Sequence, residues 1–333
     1  MTYMADYKSI NPKPSQTGWV RLRKYLVRFA IVLLVVGTAL ESYTMFKFRN
    51  LTPSGSFVEV DGLQLHYRIL GETGPKVIAI HGASGNLLDW IAGPAPAMAE
   101  RYQVLLFDRP GLGFSDRAGK NGSDLSVQAT LMRTAAAKLG FEKAIIVGHS
   151  FGGSVALAWA LDAPETVDAL VLLSAPSQVW PAGPSLLNRL ASNPVTGPVL
   201  SRVVPAVAGQ RLISAAVESI FEPQAAPKDY ANNINAQLTL RPATVQANAT
   251  DVVKLKSYIR KMVSRYNTLK MPVELLHGTA DTIVPIDVHS IPLSKQITNS
   301  NLTILDGTGH MPHHVNQTEL MSALLRLSEK TED

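Results

Sequence analysis

The strongest constraint on the fold is a series of short, uninterrupted apolar runs separated by helical patterns. A strand that is buried on both faces has no polar side, so such runs indicate parallel strands inside a sheet that helices cover. Two earlier segments, 57–60 and 63–70, flank an Asp61-Gly62 turn, and the second alternates apolar and polar residues, which predicts an antiparallel hairpin at the sheet edge. The apolar runs occupy residues 77–80, 104–107, 144–147, 169–173, 273–276 and 302–305.

One long interval interrupts this alternation. Residues 176–269 contain no run typical of a strand, only helical segments punctuated by prolines. A structureless loop of that length is uncommon inside a compact domain, so a helical insertion is the better interpretation. We therefore divide the body into a first core part (57–175), a helical cap (176–269) and a second core part (270–333).

The N-terminal segment predicts a membrane anchor. Residues 29–40 carry no charge, but these 12 residues form only about 18 Å of helix. The 21-residue window 26–46 reaches about 31 Å, close to the ~30 Å hydrocarbon core, if Arg28 and Glu41 lie near opposite headgroup regions. Residues 1–25 then form a basic tail, residues 47–56 a linker, and residues 26–46 a single-pass signal anchor.

The distribution of basic residues predicts the orientation of this anchor. The cluster at residues 21–28 outnumbers the basic residues that follow the span, which places the N-terminus in the cytoplasm and the body on the outer, periplasmic side. The alternative is export after cleavage near Ala39, because small residues at 37–39 suit a signal peptidase. An amphipathic interfacial helix fits less well, since apolar residues surround the helix axis.

Charge and cysteine content exclude several function classes. The net charge is +5, but residues 1–49 hold eight basic and two acidic residues, so the remaining chain has a net charge of −1. A near-neutral body predicts no nucleic-acid partner. The chain has no cysteine, which excludes disulfides, thiolate metal sites and a cysteine nucleophile.

A nucleophile motif follows the third of the apolar runs. Residues 148–152 read Gly-His-Ser-Phe-Gly, between the run 144–147 and a helical pattern. In a strand–turn–helix context this Gly-x-Ser-x-Gly spacing lifts the serine hydroxyl clear of the sheet on a sharp turn. Ser150 is therefore the candidate nucleophile.

Three further motifs follow predicted strands in order: the segments 81–85 (His-Gly-Ala-Ser-Gly), 108–115 (beginning Asp-Arg-Pro-Gly) and 307–312 (ending His-Met-Pro). With the serine motif they make the chain, from about residue 57 to 327, resemble the α/β-hydrolase superfamily, in its esterase and epoxide-hydrolase-like branch. The resemblance implies a mostly parallel eight-stranded sheet with helices on both faces and a helical cap.

A serine hydroxyl needs a base, and the base needs a carboxylate to orient it. His310 lies in a Gly-flanked loop after the last predicted strand and completes the chain order Ser, Asp, His, so it is the candidate base. By resemblance to the family's acid loop, Asp281 is the candidate carboxylate, with Asp287 and Asp306 as alternatives. His313 and His314 are interpreted as loop or helix-start residues, because no carboxylate accompanies them at the spacing of metal ligands.

The remaining candidate residues concern the oxyanion and the substrate. The backbone N–H of Phe151 is one predicted oxyanion donor, and the resemblance implies the N–H of Ala83 as the other. Asp108 and Arg109 are interpreted as a hydrogen-bonded pair that fixes a turn. Aromatic side chains of the cap are candidates for the substrate pocket: Trp180, Phe221 and Tyr258.

The nucleophile narrows the reaction. Dehalogenases and epoxide hydrolases of the resembled branch carry aspartate at this position, so Ser150 points to acyl transfer from a small-molecule ester to water, as in a carboxylesterase or lipase. The alternatives are a carbon–carbon bond hydrolase, a cofactor-free haloperoxidase or perhydrolase, and a catalytically silent binding protein. Since the sequence has neither a complete dinucleotide-binding fingerprint nor a P-loop, it predicts no cofactor and no metal. The oligomeric state is left open.

Overall fold

The computed structural model describes residues 16–332, which divide into two compact units between Lys47 and Phe48. The described part of the first unit is helical: it belongs to the 33-residue helix α1 (Gln16–Phe48), which contains the predicted span 26–46 and whose last residue, Phe48, falls in the second unit. The basic residues of the predicted tail that precede residue 16 lie outside the described residues. By length and composition, Gly18–Phe48 is one of two helical segments able to cross a membrane, with Gly197–Phe221 as the other.

The second unit is built on one eight-stranded sheet with the order β1-β2-β4-β3-β5-β6-β7-β8. Strands β1 and β2 form an antiparallel hairpin, β2 pairs antiparallel with β4, and all other pairs are parallel. The predicted mostly parallel sheet with an antiparallel edge is confirmed. The strands are β1 (Ser56–Val60), β2 (Leu63–Leu70), β3 (Lys76–Ile80), β4 (Gln103–Phe107), β5 (Ala144–His149), β6 (Val167–Leu173), β7 (Val273–Gly278) and β8 (Ser300–Leu305).

Helices cover both faces of the sheet, as expected for strands with no polar side. Alternate residues of β3 enter opposite cores: Ile78 and Ile80 lie in one cluster, Val77 and Ala79 in the other. The helices of the body are α2 (Leu88–Ile91), α3 (Ala95–Met98), α4 (Leu125–Lys138), α5 (Phe151–Asp162), α6 (Leu186–Ser192), α7 (Gly197–Phe221), α8 (Tyr230–Asn233), α9 (Pro242–Met262), α10 (Ser290–Gln296), α11 (Pro312–Val315) and α12 (Gln317–Glu332).

The segment between β6 and β7, called the insertion below, contains α6 to α9 and two short 3₁₀ helices, and all of it lies within the described residues. Helix α9 packs against α6 and α7, while Leu255 and Ile259 of α9 join the core cluster on one face of the sheet. The insertion therefore has one side on the core and one side directed away from it.

Candidate active site

Ser150 occupies the turn between β5 and α5 with backbone angles φ 50° and ψ −123°. A residue other than glycine rarely adopts such a conformation, and strain of about 1–3 kcal/mol must be offset by the surrounding structure. The flanking glycines permit the close approach, because a Cβ on Gly148 would lie 2.6 Å from the carbonyl oxygen of Gly152. The turn thus holds the hydroxyl at the carboxyl edge of the central strands.

His310 and Asp281 reach this hydroxyl from the ends of two other strands. The Nε2 atom of His310 lies 2.9 Å from Ser150 Oγ, and its Nδ1 atom lies 2.7 Å from Asp281 Oδ2. Asp281 follows β7 and His310 follows β8, whereas Ser150 follows β5. The structure brings the three predicted side chains into one hydrogen-bonded series, all of them buried.

The carboxylate of Asp281 is surrounded by donors. Its Oδ1 accepts hydrogen bonds from the backbone N–H groups of Ile283 and Val284 at 3.0 and 2.8 Å, and His277 Nε2 lies 3.2 Å from Oδ2. Burial alone would raise the pKa of Asp281, but the hydrogen bonds from His277 and His310 outweigh it and hold this pKa well below its usual range. Asp281 is therefore ionised at neutral pH, and its negative charge orients His310.

His149 fixes the backbone of the loop that carries His310. Its Nε2 donates to the carbonyl oxygen of His310 at 2.8 Å. Burial, together with the imidazoles of His313 and His310, holds the pKa of His149 well below its usual range, so the ring is neutral.

The loop after β3 approaches the nucleophile closely. A Cβ on Gly82 would lie 3.2 Å from the Cβ of Ser150, and Ala83 shares with Ser150 the lining of both neighbouring cavities. Since Phe151 is the first residue of α5, its N–H also lies at the nucleophile turn. The two predicted oxyanion donors therefore flank Ser150 on adjacent segments.

The side chain of Arg109 binds the backbone of the loop that follows β3. It is completely buried, and it donates hydrogen bonds to the carbonyl oxygens of His81 and Gly82 at 3.1 and 3.3 Å. Its guanidinium carbon lies 4.2 Å from the centre of the Phe151 ring. Burial lowers the pKa of Arg109 to about 10, with Asp251 opposing the shift, so the guanidinium stays charged at neutral pH.

Helix α9 supplies the partners on the other side of the loop. Asp251 lies 3.2 Å from the Arg109 guanidinium. One turn earlier, Asn248 accepts from the N–H of Ser84 at 2.7 Å and donates to its hydroxyl at 2.8 Å. The insertion therefore contacts the oxyanion loop directly.

The expected pairing of Asp108 with Arg109 is wrong. Asp108 bonds to His66 at 2.7 Å and accepts from the N–H groups of Leu87 and Phe114. Arg109 points instead toward Asp251, because two successive residues after β4 project to opposite sides of the chain. Each fixes a different loop.

A second buried cluster lies next to the nucleophile turn. Asp89 bonds to His313 and His314 at 3.0 and 2.8 Å and accepts from the hydroxyl of Tyr230 at 2.7 Å. Burial opposes ionisation, but the two imidazoles hold the pKa of Asp89 well below its usual range. The expectation that no carboxylate accompanies His313 and His314 is therefore wrong, because α2 brings Asp89 to them across more than 220 residues.

This cluster has the residue types of a metal site. Asp89, His149 and His313 each offer one ligand atom within 4.8 Å of the others. However, both Asp89 oxygens already accept hydrogen bonds, Oδ2 from His313 and Oδ1 from His314 and Tyr230. The cluster links the core to the insertion through Tyr230.

Two cavities flank Ser150, with Ala83 and Ile283 shared between them. The first has a volume of about 260 Å³, and the insertion lines part of it with mostly apolar residues, including Ile213, Ile220 and Tyr230. The second has a volume of about 540 Å³.

The three aromatic candidates of the insertion have different positions. Trp180 lines the larger cavity. Phe221 is buried against Tyr230 and His314, and the Tyr258 hydroxyl bonds to Ser123 at 3.3 Å; neither lines the two cavities beside Ser150.

Sequence reasoning missed several residues around the site. His277 had a local signal, since it precedes Asp281 by four residues in the same loop. Asp89, Asn248 and Asp251 had none, because their partners lie on distant parts of the chain.

Comparison with known proteins gives a consistent result. Residues 75–317 match the model of a family described as alpha/beta hydrolase fold. An uncharacterised protein of Mycobacterium tuberculosis is 30% identical over 292 residues, which cover 84% of this chain and 82% of that protein. A 2-hydroxy-6-oxononadienedioate/2-hydroxy-6-oxononatrienedioate hydrolase of Paraburkholderia phymatum is 27% identical over 259 residues, or 74% of this chain and 85% of that enzyme.

Solved structures show the same architecture. The crystal structure of an alpha/beta hydrolase fold protein from Burkholderia ambifaria superposes with a TM-score of 0.69 at 22% identity, covering 83% of this chain and 98% of that one.

Proposed function

Because the chain belongs to the α/β-hydrolase family, we propose that it is a serine hydrolase that cleaves carboxylic ester bonds. The observation that carries the proposal is the hydrogen-bonded series from Ser150 Oγ through His310 to Asp281. The serine lies in a strained turn beside two apolar cavities. An activated hydroxyl in an apolar cleft is suited to attack on an acyl carbon.

In the proposed reaction Ser150 Oγ forms a bond to the ester carbonyl carbon while His310 Nε2 takes the hydroxyl proton. The carbonyl oxygen becomes an oxyanion that accepts hydrogen bonds from the N–H groups of Phe151 and Ala83. The C–O bond to the alcohol then breaks, and His310 returns the proton to the leaving oxygen. Water attacks the acyl-enzyme by the same route, releasing the acid and restoring Ser150.

The cavities restrict the substrate class. Among the described residues that line the two cavities beside Ser150, none is Lys or Arg. An anionic group on either arm of the substrate would lose its hydration without gaining a cationic partner, which is costly. We therefore propose an ester with an uncharged, apolar group on each side of the scissile carbonyl.

A carbon–carbon bond hydrolase is the second candidate, because the Paraburkholderia relative carries that name. The substrate in that name is a dioate, and the cavities here lack a cation for a carboxylate. This observation favours ester hydrolysis. If carbon–carbon cleavage occurs, an uncharged β-diketone suits these cavities better than a dicarboxylate.

We also propose that residues 26–46, within α1, anchor the enzyme in a membrane. The N-terminus then lies in the cytoplasm and the catalytic body on the outer side. Carbonate extraction of membranes from the native host is expected to leave the full chain in the pellet. A mature protein that begins at Leu40 would support cleavage near Ala39 instead.

The test of the reaction is a panel of p-nitrophenyl acetate and butyrate, lactones, thioesters and β-diketones, assayed with the wild-type chain and Ser150→Ala. We expect ester turnover that Ser150→Ala abolishes, together with covalent labelling of one serine by a fluorophosphonate. Faster turnover of β-diketones than of every ester would favour the second candidate. Unchanged ester hydrolysis by Ser150→Ala would refute the proposal.

A further inference from the structure

The outward side of α6 and α7 is apolar where a helix on the surface of a soluble protein is usually polar. In α7 the residues Ser201, Pro205, Gly209 and Ile213 recur every four positions and are buried. On the opposite side, Val199 and Val207 are exposed, Val207 to 82%. We call this surface the α6–α7 face; its exposed apolar residues are Leu186, Leu187, Leu190, Val195, Val199 and Val207, of which Val195 lies in the loop between the two helices.

Single exposed apolar side chains are common, but a set concentrated on two packed helices marks an interaction site. The described part of the chain has other exposed apolar residues in the body, such as Phe57 and Ile304, and these lie on separate strands. The α6–α7 face is therefore the main apolar surface of the body that has no partner in this structure.

The charge of this segment favours one class of partner. Helices α6 and α7 contain three basic residues, Arg189, Arg202 and Arg211, and one acidic residue, Glu218. In a body with a net charge of about −1, this is a local excess of positive charge. Apolar side chains combined with arginines match the surface of an anionic bilayer, to which each cation near the headgroups contributes about 1 kcal/mol.

An apolar route leads from this face to the nucleophile. A groove of about 260 Å³ runs between α6 and α7 and is lined by Leu187, Leu200 and Leu212. It shares Ser84, Ile213, Ala216 and Thr239 with the cavity that contains Ser150. The groove and the cavity that contains Ser150 therefore adjoin each other across these four residues.

We infer that the α6–α7 face docks on an anionic lipid bilayer and that the substrate is a lipid ester drawn from that bilayer through the groove. The inference rests on the proposed ester hydrolysis and membrane anchoring. It adds a second membrane contact, separate in the chain from α1, and it assigns the source of the substrate. Docking places the mouth of the groove against the lipid, which spares an apolar ester the cost of dissolving in water.

The docking test uses the absence of native cysteine. The full chain carrying Val207→Cys is labelled with an environment-sensitive fluorophore and reconstituted into vesicles of phosphatidylcholine with phosphatidylglycerol, or of phosphatidylcholine alone. The matched control is Ile304→Cys, an exposed apolar position on β8. We expect a blue-shifted emission at position 207 that spin-labelled acyl chains quench about two-fold or more in anionic vesicles, with no change at position 304.

The outcomes separate docking from anchoring. A chain that does not float with anionic vesicles overturns both. A chain that floats while its label at position 207 stays in water overturns docking and leaves the anchor supported.

The substrate source is tested with Val207→Glu, because a carboxylate at this position opposes contact with anionic lipid. The rate on an ester embedded in anionic vesicles is expected to fall about 10-fold, while hydrolysis of soluble p-nitrophenyl butyrate is unchanged. Ile304→Glu is the control and should alter neither rate. Equal loss on both substrates, or loss on neither, contradicts the lipid source, whereas a wild-type chain inactive on every ester contradicts the proposed hydrolysis itself.

Discussion

The strand ends that carry Ser150, Asp281 and His310 differ from the insertion in how they use polar groups. At the strand ends these three side chains are buried and hydrogen-bonded to one another in series. The polar contacts of the insertion with the site include those of Gln224, Asn248, Asp251 and Tyr230, and the insertion presents apolar residues both to the cavities and to the solvent. The difference suggests that the strand ends supply the chemistry and the insertion supplies position and selection.

The largest effect that this comparison predicts is at the strand ends. Ser150→Ala is expected to lower kcat by about 10⁴-fold or more, with residual activity from substrate binding and the oxyanion donors. Ser214→Ala, at an exposed serine of α7, is the matched control and should retain full activity. Steady-state kinetics measure kcat, and circular dichroism checks that both variants are folded. Equal losses of kcat from both substitutions would contradict the assignment of the chemistry to the strand ends.

The next effect is a loss of folding stability at low pH, where the strand ends contact the insertion. Burial lowers the pKa values of His81 and His289 from 6.5 to about 4. His289 Nδ1 accepts from the N–H groups of Ser177 and Gln178 at the start of the insertion. Both rings are neutral when folded, and unfolding lets them take up protons between pH 6.5 and 4. Each therefore removes on the order of 3 kcal/mol of stability as the pH falls through that window.

Urea unfolding followed at pH 7, 5.5 and 4 checks this loss. His289→Gln keeps an acceptor for the two N–H groups without a titrating ring, and it is expected to reduce the pH-dependent loss by the share of one ring, on the order of 3 kcal/mol. A variant as sensitive to acid as the wild type would rule out the role of His289.

A smaller effect is expected where the insertion positions the oxyanion loop. Asn248→Ala removes both hydrogen bonds to Ser84, so kcat should fall about 10-fold while KM changes little, since a misplaced donor acts on the transition state. Gln246→Ala, which alters another polar side chain of α9 whose amide bonds to Ser201, is the control. An increase confined to KM would mean that α9 binds substrate instead of positioning the loop.

The smallest effect concerns selection by the two cavities. Ile220→Phe fills part of the cavity of about 260 Å³ and Trp180→Ala enlarges the one of about 540 Å³. With esters that differ in acyl and in alcohol length, each substitution is expected to shift kcat/KM along one series by about 10-fold and to leave the other series unchanged. If neither substitution changed the ratio of kcat/KM values between esters of either series, the insertion would not select the substrate.

These two regions also differ in what the sequence could predict. Apolar runs and the turns that follow them are local patterns, so the strands and the positions of Ser150 and His310 could be predicted from them, whereas Asp281 was chosen over Asp287 and Asp306 by resemblance to the family's acid loop. The contacts of Asp89 and of Asn248 join segments more than 140 residues apart, and they depend on how helices pack, which no local pattern records. Phe221 and Tyr258 were selected for their aromatic side chains alone, and aromatic residues also fill the interior of such insertions.

The hydrogen bonds of Asp89 have a mechanical consequence. One carboxylate fastens α2, α8 and α11 together, and α11 begins two residues after His310. Tyr230 and Asp89 both line the smaller cavity beside Ser150. Tyr230 in the cavity wall and the helix that follows the base are therefore held by the same carboxylate, so loss of Asp89 would release both at once.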